Sequence, residues 1–149
     1  MEENLRKQIA EAFGKTGVDV HTYSPLTLAY IGDCIYEVII RTEVLMDGNK
    51  QTEKLHRDVT KLVKAETQCK LIPIWEELLT EEEKDIVRRG RNSRSYTKAK
   101  NASINHYRKA TGVEALIGYL YLTDRMPRAI YLVKEGLDRI AAEEGLRNS

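Results

Sequence analysis

The hydrophobic pattern divides the chain into helical stretches, the most apolar of which is Ser24 to Arg41, SPLTLAYIGDCIYEVIIR. Leu28, Ile31, Ile35, Val38 and Ile39 recur there at helical spacing, and Leu26, Ala29, Tyr30, Cys34 and Ile40 fill much of the remaining circumference. A helix that is apolar nearly all round is covered on several sides, by other elements or by a second subunit. Ser24 suits the N-cap, and Pro25 suits the first helical position, where its missing N–H costs nothing. The helix is expected to run to about Met46 and to stop at Asp47-Gly48.

The other elements follow from the same period. Glu2 to Phe13 predicts a short helix, followed by a loop around Gly14, Gly17 and Tyr23. An amphipathic helix begins near Thr52 and buries Leu55, Val59, Leu62, Val63 and Cys69, with Pro73 expected to break or bend it. Ile74, Trp75, Leu78 and Leu79 predict a short helical turn over the core. Thr80 and Glu83 form a T-x-x-E capping box. Glu81 to Glu83 at the start of that helix and Arg88 and Arg89 near its end match the helix dipole, and Gly90 is the expected stop.

Arg91 to Asn101 is a polar, basic connector without an apolar period. From Ile104, the residues Tyr107, Ala110, Val113, Leu116, Ile117, Leu120 and Tyr121 predict another core helix. Asp124 is expected to cap the last helix, where Ala129, Ile130, Val133, Leu137, Ile140 and Ala141 repeat. No stretch alternates as a strand would, and no internal repeat is present. The prediction is an all-α domain over residues 1–149, with 1–23 as an N-terminal helix and loop.

With 42% hydrophobic and 32% charged residues, the chain is expected to fold as a soluble globular domain. No apolar run approaches the ~20 residues a membrane helix needs, and the charged N-terminus has no signal-peptide core, so a cytoplasmic location is the default. Cys34 and Cys69 lack metal-ligand spacing and are expected to be buried thiols. The net charge of +1 conceals an uneven distribution. Arg88 to Lys109 carries eight Lys and Arg and no acid, leaving 16 basic against 23 acidic residues elsewhere. A basic segment on an acidic body points to a polyanion.

Two acids stand out against their surroundings. Asp33 sits at the centre of the apolar run beside Gly32, and a carboxylate buried there without a partner would cost several kcal/mol. Glu114 lies in GVEALIGYLYL, with Gly112, Ala115 and Gly118 nearby. Each could be a structural acid held by hydrogen bonds or an arginine, and each glycine could serve only close helix packing. If the two helices pack side by side, however, Asp33 and Glu114 converge on a hard cation such as Mg2+, which prefers oxygen ligands and keeps several waters. With a basic segment beside them, the chemistry indicated is metal-assisted phosphodiester cleavage.

These residues resemble a known family. AYIGDCIYEV is similar to the signature helix of ribonuclease III, and GVEALIGYLYL resembles its second catalytic helix. Their spacing, the intervening RRGRN and the overall length resemble the shortened branch, Mini-ribonuclease III, most closely. The resemblance covers nearly the whole chain from Ser24 onward. It implies a homodimeric, all-helical endoribonuclease domain without the appended double-stranded-RNA-binding domain, for which this length leaves no room. It implies Asp33 and Glu114 as catalytic metal ligands for Mg2+, or for Mn2+ in its place. Two further acids of full-length family members are replaced here by Ala29 and Thr111. Thr111 and water are candidates to substitute, while Glu37, one turn after Asp33, is either a structural polar contact, the preferred assignment, or a group acting beside the metal.

The implied reaction is hydrolysis of double-stranded RNA to 5′-phosphate and 3′-hydroxyl ends, with maturation of the large-subunit ribosomal RNA precursor as the implied role. Arg88, Arg89, Arg91, Asn92, Arg94, Lys98 and Lys100 are the candidate RNA contacts, since duplex RNA is bound mostly through phosphates and 2′-hydroxyls. His56, Arg57, Lys61 and Lys64 could extend that surface. His21, His56 and His106 form no recognisable nucleophile–base arrangement. Two other classes compete: a helical module that binds structured RNA without cutting it, and a helical DNA-binding regulator.

Overall fold

Capped N-termini open two of the helices where the sequence places them. The Ser24 hydroxyl accepts the Thr27 amide at 3.2 Å. Thr80 and Glu83 exchange reciprocal bonds, the Thr80 amide to Glu83 Oε1 at 2.9 Å and the Glu83 amide to Thr80 Oγ1 at 3.2 Å. Each satisfies amides that a helix end leaves without partners. The structure, a computed structural model, describes residues 4–93 and 102–148. Among them are α1 (Leu5–Ala12), a 3-10 turn (Val20–Thr22), α2 (Pro25–Leu45), α3 (Thr52–Val63), α4 (Ala65–Trp75), α5 (Glu81–Asn92), α6 (Ala102–Leu122) and α7 (Met126–Asn148), and no strand. The all-α expectation holds for these residues.

The core is centred on α6 rather than on the more apolar α2. Val113, Ala115, Leu116, Ile117 and Leu120 of α6 are wholly enclosed, with α2, α4 and α5 packed around them. Trp75 closes the far side, donating its indole N–H to the Leu132 carbonyl at 3.0 Å. α2 instead presents one apolar flank that nothing among the described residues covers: Tyr30 is 78% and Val38 57% exposed. Its all-round apolarity therefore serves two different surfaces.

Several boundaries differ from expectation. The break after α3 falls at Lys64, which is extended, and Pro73 lies inside α4 instead of ending it. Thr67 caps the break by donating to the Lys61 carbonyl at 2.5 Å. Pro73 is tolerated because it stands near the end of α4, where removing one backbone bond costs little continuing helix. Gly90 does not stop α5, which continues to Asn92; it is a buried packing residue. Asp124 does not cap α7. It adopts a positive φ of 62° and accepts two bonds from Arg6, at 2.6 and 2.8 Å, tethering α1. Cys34 is exposed and Cys69 half-buried, so neither is the enclosed thiol expected.

Candidate active site

Asp33 and Glu114 meet because α2 and α6 cross with almost no space between their backbones. A Cβ added at Gly32 would lie 1.7 Å from the Glu114 carbonyl oxygen, and one at Gly118 would lie 2.0 Å from the Leu28 carbonyl oxygen. Neither site can hold even a methyl group, so the two glycines permit the crossing. Asp33 follows Gly32 directly and Glu114 stands opposite. The carboxylates come together as the sequence predicts, but Asp33 is exposed, not buried. The deeply packed residue is its neighbour Gly32, and Asp33 projects past the contact toward solvent.

Glu114 is the more enclosed acid. Burial first, then a hydrogen bond to Asp33 and the Asp33 charge, push its carboxyl up to about 9. Without a cation, the pair therefore holds a proton at neutral pH. The phenol of Tyr36, one turn along α2 from Asp33, is also pushed well up by burial and by Glu114. Its hydroxyl donates to the Leu62 carbonyl at 2.8 Å, tying the end of α3 to α2 one turn from Asp33. Tyr36 was not distinguishable in the sequence from the other apolar positions of the run.

Two acids that share a proton suit a divalent cation, which would replace that proton and neutralise both. No group of three or more His, Cys, Asp or Glu gathers for a metal among the described residues. Two carboxylates with water completing the coordination is an arrangement Mg2+ accepts. The substitutes weighed from sequence lie differently. Thr111 is buried and donates its hydroxyl to the Tyr107 carbonyl at 2.9 Å within its own helix. Glu37 is held by Arg41, whose Nε and Nη2 reach its Oε1 at 2.9 and 2.5 Å. The i, i+4 spacing of Glu37 and Arg41 is visible in the sequence, although the partner is not singled out there.

The basic end of α5 lies beside this site. A Cβ on Gly90 would stand 2.9 Å from the Gly112 α-carbon, and one on Gly112 would stand 2.7 Å from the Val87 carbonyl oxygen. This second glycine contact lies two residues before Glu114, so Arg88 to Asn92 are drawn alongside it. Arg88, Arg89, Arg91 and Asn92 are all exposed. Arg88 pairs with Asp85 and, with Arg91, borders a groove between α4 and α5. Arg94, Lys98 and Lys100 lie outside the described residues. His56, Arg57 and Lys61 on α3, and Lys64 just after it, are exposed. His21 packs against Tyr119, with ring centroids 6.2 Å apart.

Comparison with known proteins shows the family. The Ribonuclease III domain model matches residues 26–125. Mini-ribonuclease 3 of Streptococcus pneumoniae is 40% identical over 125 residues, covering 83% of this chain and 98% of that protein. Mini-ribonuclease 3 of a Thermoanaerobacter species is 48% identical over 109 residues, covering 73% of this chain and 77% of that one. A crystal structure of a protein from Fusobacterium nucleatum superposes with a TM-score of 0.71 at 29% identity, covering 82% of this chain and 98% of its own.

Proposed function

The chain belongs to the ribonuclease III family and is an RNA-cleaving endoribonuclease; from that premise we propose that it hydrolyses double-stranded RNA with Mg2+, or Mn2+ in its place, held by Asp33 and Glu114. The observation that carries this reading is the meeting of those two carboxylates across the Gly32 contact, with Glu114 pushed up to about 9 by burial and by Asp33. When bound, the metal supplies an activated water and stabilises charge developing on the phosphate and the leaving oxygen. Glu114 must give up its proton to bind the cation, and burial makes it ready to do so only against a strong positive charge.

The chain's other residues position the substrate. Arg89, Arg91 and Asn92, exposed beside the Glu114 segment, engage phosphates and 2′-hydroxyls, and Arg94, Lys98 and Lys100 are proposed as further RNA contacts on the strength of their charge. The products carry 5′-phosphate and 3′-hydroxyl ends. The uncovered flank of α2 forms an apolar groove with α7, bordered by Val38, Met46, Met126 and Ile130, which supports a homodimer presenting one site to each RNA strand. The substrate in the cell is precursor ribosomal RNA of the large subunit, and the enzyme works in the cytoplasm. Among the described residues, no helix is long and apolar enough to cross a membrane. Incubating the purified protein with duplex RNA tests the proposal: cleavage on adding Mg2+ and none in chelator is expected. Cutting that persists in chelator, or none in either condition, defeats it.

A further inference from the structure

Asp33, Glu37 and Arg41 follow one another along α2 at intervals of four residues and so share one face of the helix, each about a turn from the next. Both Arg41 donors converge on the same oxygen of Glu37, Oε1. The pair is open to solvent, Arg41 more than Glu37, at 61% against 35% exposure. Such an exposed pair contributes little to stability. Its placement one turn from the Asp33–Glu114 site gives it a different consequence.

Without Arg41, three uncompensated acids would stand around the site, Asp33 and Glu37 on α2 and Glu114 on α6. With Arg41 in place the site carries two, the number that balances a divalent cation. A third uncompensated acid would tighten cation binding and repel an approaching phosphate. We infer that Arg41 is a positioning residue for the metal site: it cancels the charge of Glu37 and holds that carboxylate away from the cation, setting the site's cation affinity. This rests on the assignment of Asp33 and Glu114 as the metal ligands.

Mn2+ binding, followed by the electron paramagnetic resonance signal of the free ion at low ionic strength, tests it on the full chain. Four proteins are compared: the parent, Arg41→Gln, the double variant Arg41→Gln/Glu37→Gln, and Asp33→Asn. Arg41→Gln should bind Mn2+ about three- to tenfold more tightly, the scale expected of one unit charge acting on a divalent cation at ~10 Å through largely aqueous surroundings. The gain should shrink in about 0.5 M KCl, where exposed charges are screened, and melting should stay close to the parent's. The double variant should return to within about twofold of the parent. Parent-like Mn2+ affinity in Arg41→Gln, or a double variant as tight as the single, overturns the role of Arg41 while leaving the metal site standing, provided Asp33→Asn weakens binding. Mn2+ affinity unchanged by Asp33→Asn removes the site itself and the inference with it.

Discussion

Gly32 faces the backbone of Glu114 so closely that an added methyl group would lie 1.7 Å from its carbonyl oxygen. The meeting of Asp33 and Glu114 therefore depends on a residue that carries no chemistry. Any side chain at Gly32 must separate α2 from α6, and that separation moves Asp33 away from Glu114. Gly32→Ala is expected to destabilise the fold by about 3 kcal/mol or more through overpacking and to abolish duplex-RNA cleavage. Thermal melting beside a cleavage assay checks this. A variant that melts and cuts like the parent would show that the helices can part freely.

The raised Glu114 carboxyl gives the metal-free protein a particular pH dependence. In the unfolded chain Glu114 releases its proton near 4.5, and in the folded protein near 9. Between those values the folded state binds the extra proton, so stability falls as pH rises, by up to about 1.4 kcal/mol per pH unit. Glu114→Gln should lose this slope and exceed the parent's stability at about pH 8 in chelator. Asp33→Asn should only lessen it, because burial is the largest cause of the shift. Both variants should bind duplex RNA without cutting it. Urea denaturation at two pH values measures the slope, and a parent whose metal-free stability rises over this range would contradict the assignment.

The parts legible in the sequence were those with a local signature. Thr80 and Glu83 announce a capping box by spacing alone, and Asp33 and Glu114 stand out because each interrupts an apolar run beside glycine. The exposure of Asp33 was not legible. Periodicity shows that α2 is apolar nearly all round, yet it cannot tell which flank meets α6 and which stays open. Gly90 misleads for a related reason: a glycine near a helix end resembles a stop unless the facing Gly112 is known. The break at Lys64 is bridged by a short-range bond from Thr67 to the Lys61 carbonyl, which the apolar period does not reveal.

Replacing Arg88, Arg89 and Arg91 together with alanine should weaken duplex-RNA binding and lower the slope of log affinity against log salt by about two to three, since fewer counterions are released. Arg88 is already paired with Asp85, so Arg89 and Arg91 should account for most of the loss. All three are exposed, and melting should stay near the parent's. Fluorescence anisotropy across a KCl series reads both quantities. Parent-like affinity and slope would make this end of α5 a solvated face.

The open apolar flank of α2 should be a subunit contact. Sedimentation of the parent at micromolar concentration is expected to show a dimer, and Val38→Glu with Ile130→Glu is expected to give a folded monomer by placing unpaired charges in the α2–α7 groove. A parent that sediments as a monomer would leave that groove without the proposed occupant.

Glu83 and Arg128 join the start of α5 to α7, apart from Asp33 and Glu114. Arg128 donates through Nε at 3.0 Å and Nη2 at 2.8 Å to a carboxylate that is almost fully enclosed, and it also donates to the Leu78 carbonyl at 2.8 Å. Burial alone would raise the Glu83 carboxyl, but the bonds from Arg128 and Thr80 outweigh it and hold it below its ordinary value. Because the folded-state value is depressed, this stabilisation is present above about pH 4.5 and is lost as pH falls through the folded value. Arg128→Met strands the charge and should cost about 3–5 kcal/mol at neutral pH. Without Arg128, burial dominates, so the variant's deficit should narrow on acidification, as protonation relieves the unpaired carboxylate. Glu83→Gln with Arg128→Met should recover much of the loss, because the double change leaves no buried charge. Denaturation of the two single variants and the double at neutral and acidic pH closes the cycle. Equal deficits at both pH values would mean that Arg128 acts through its packing and its bond to Leu78, not through the charge of Glu83.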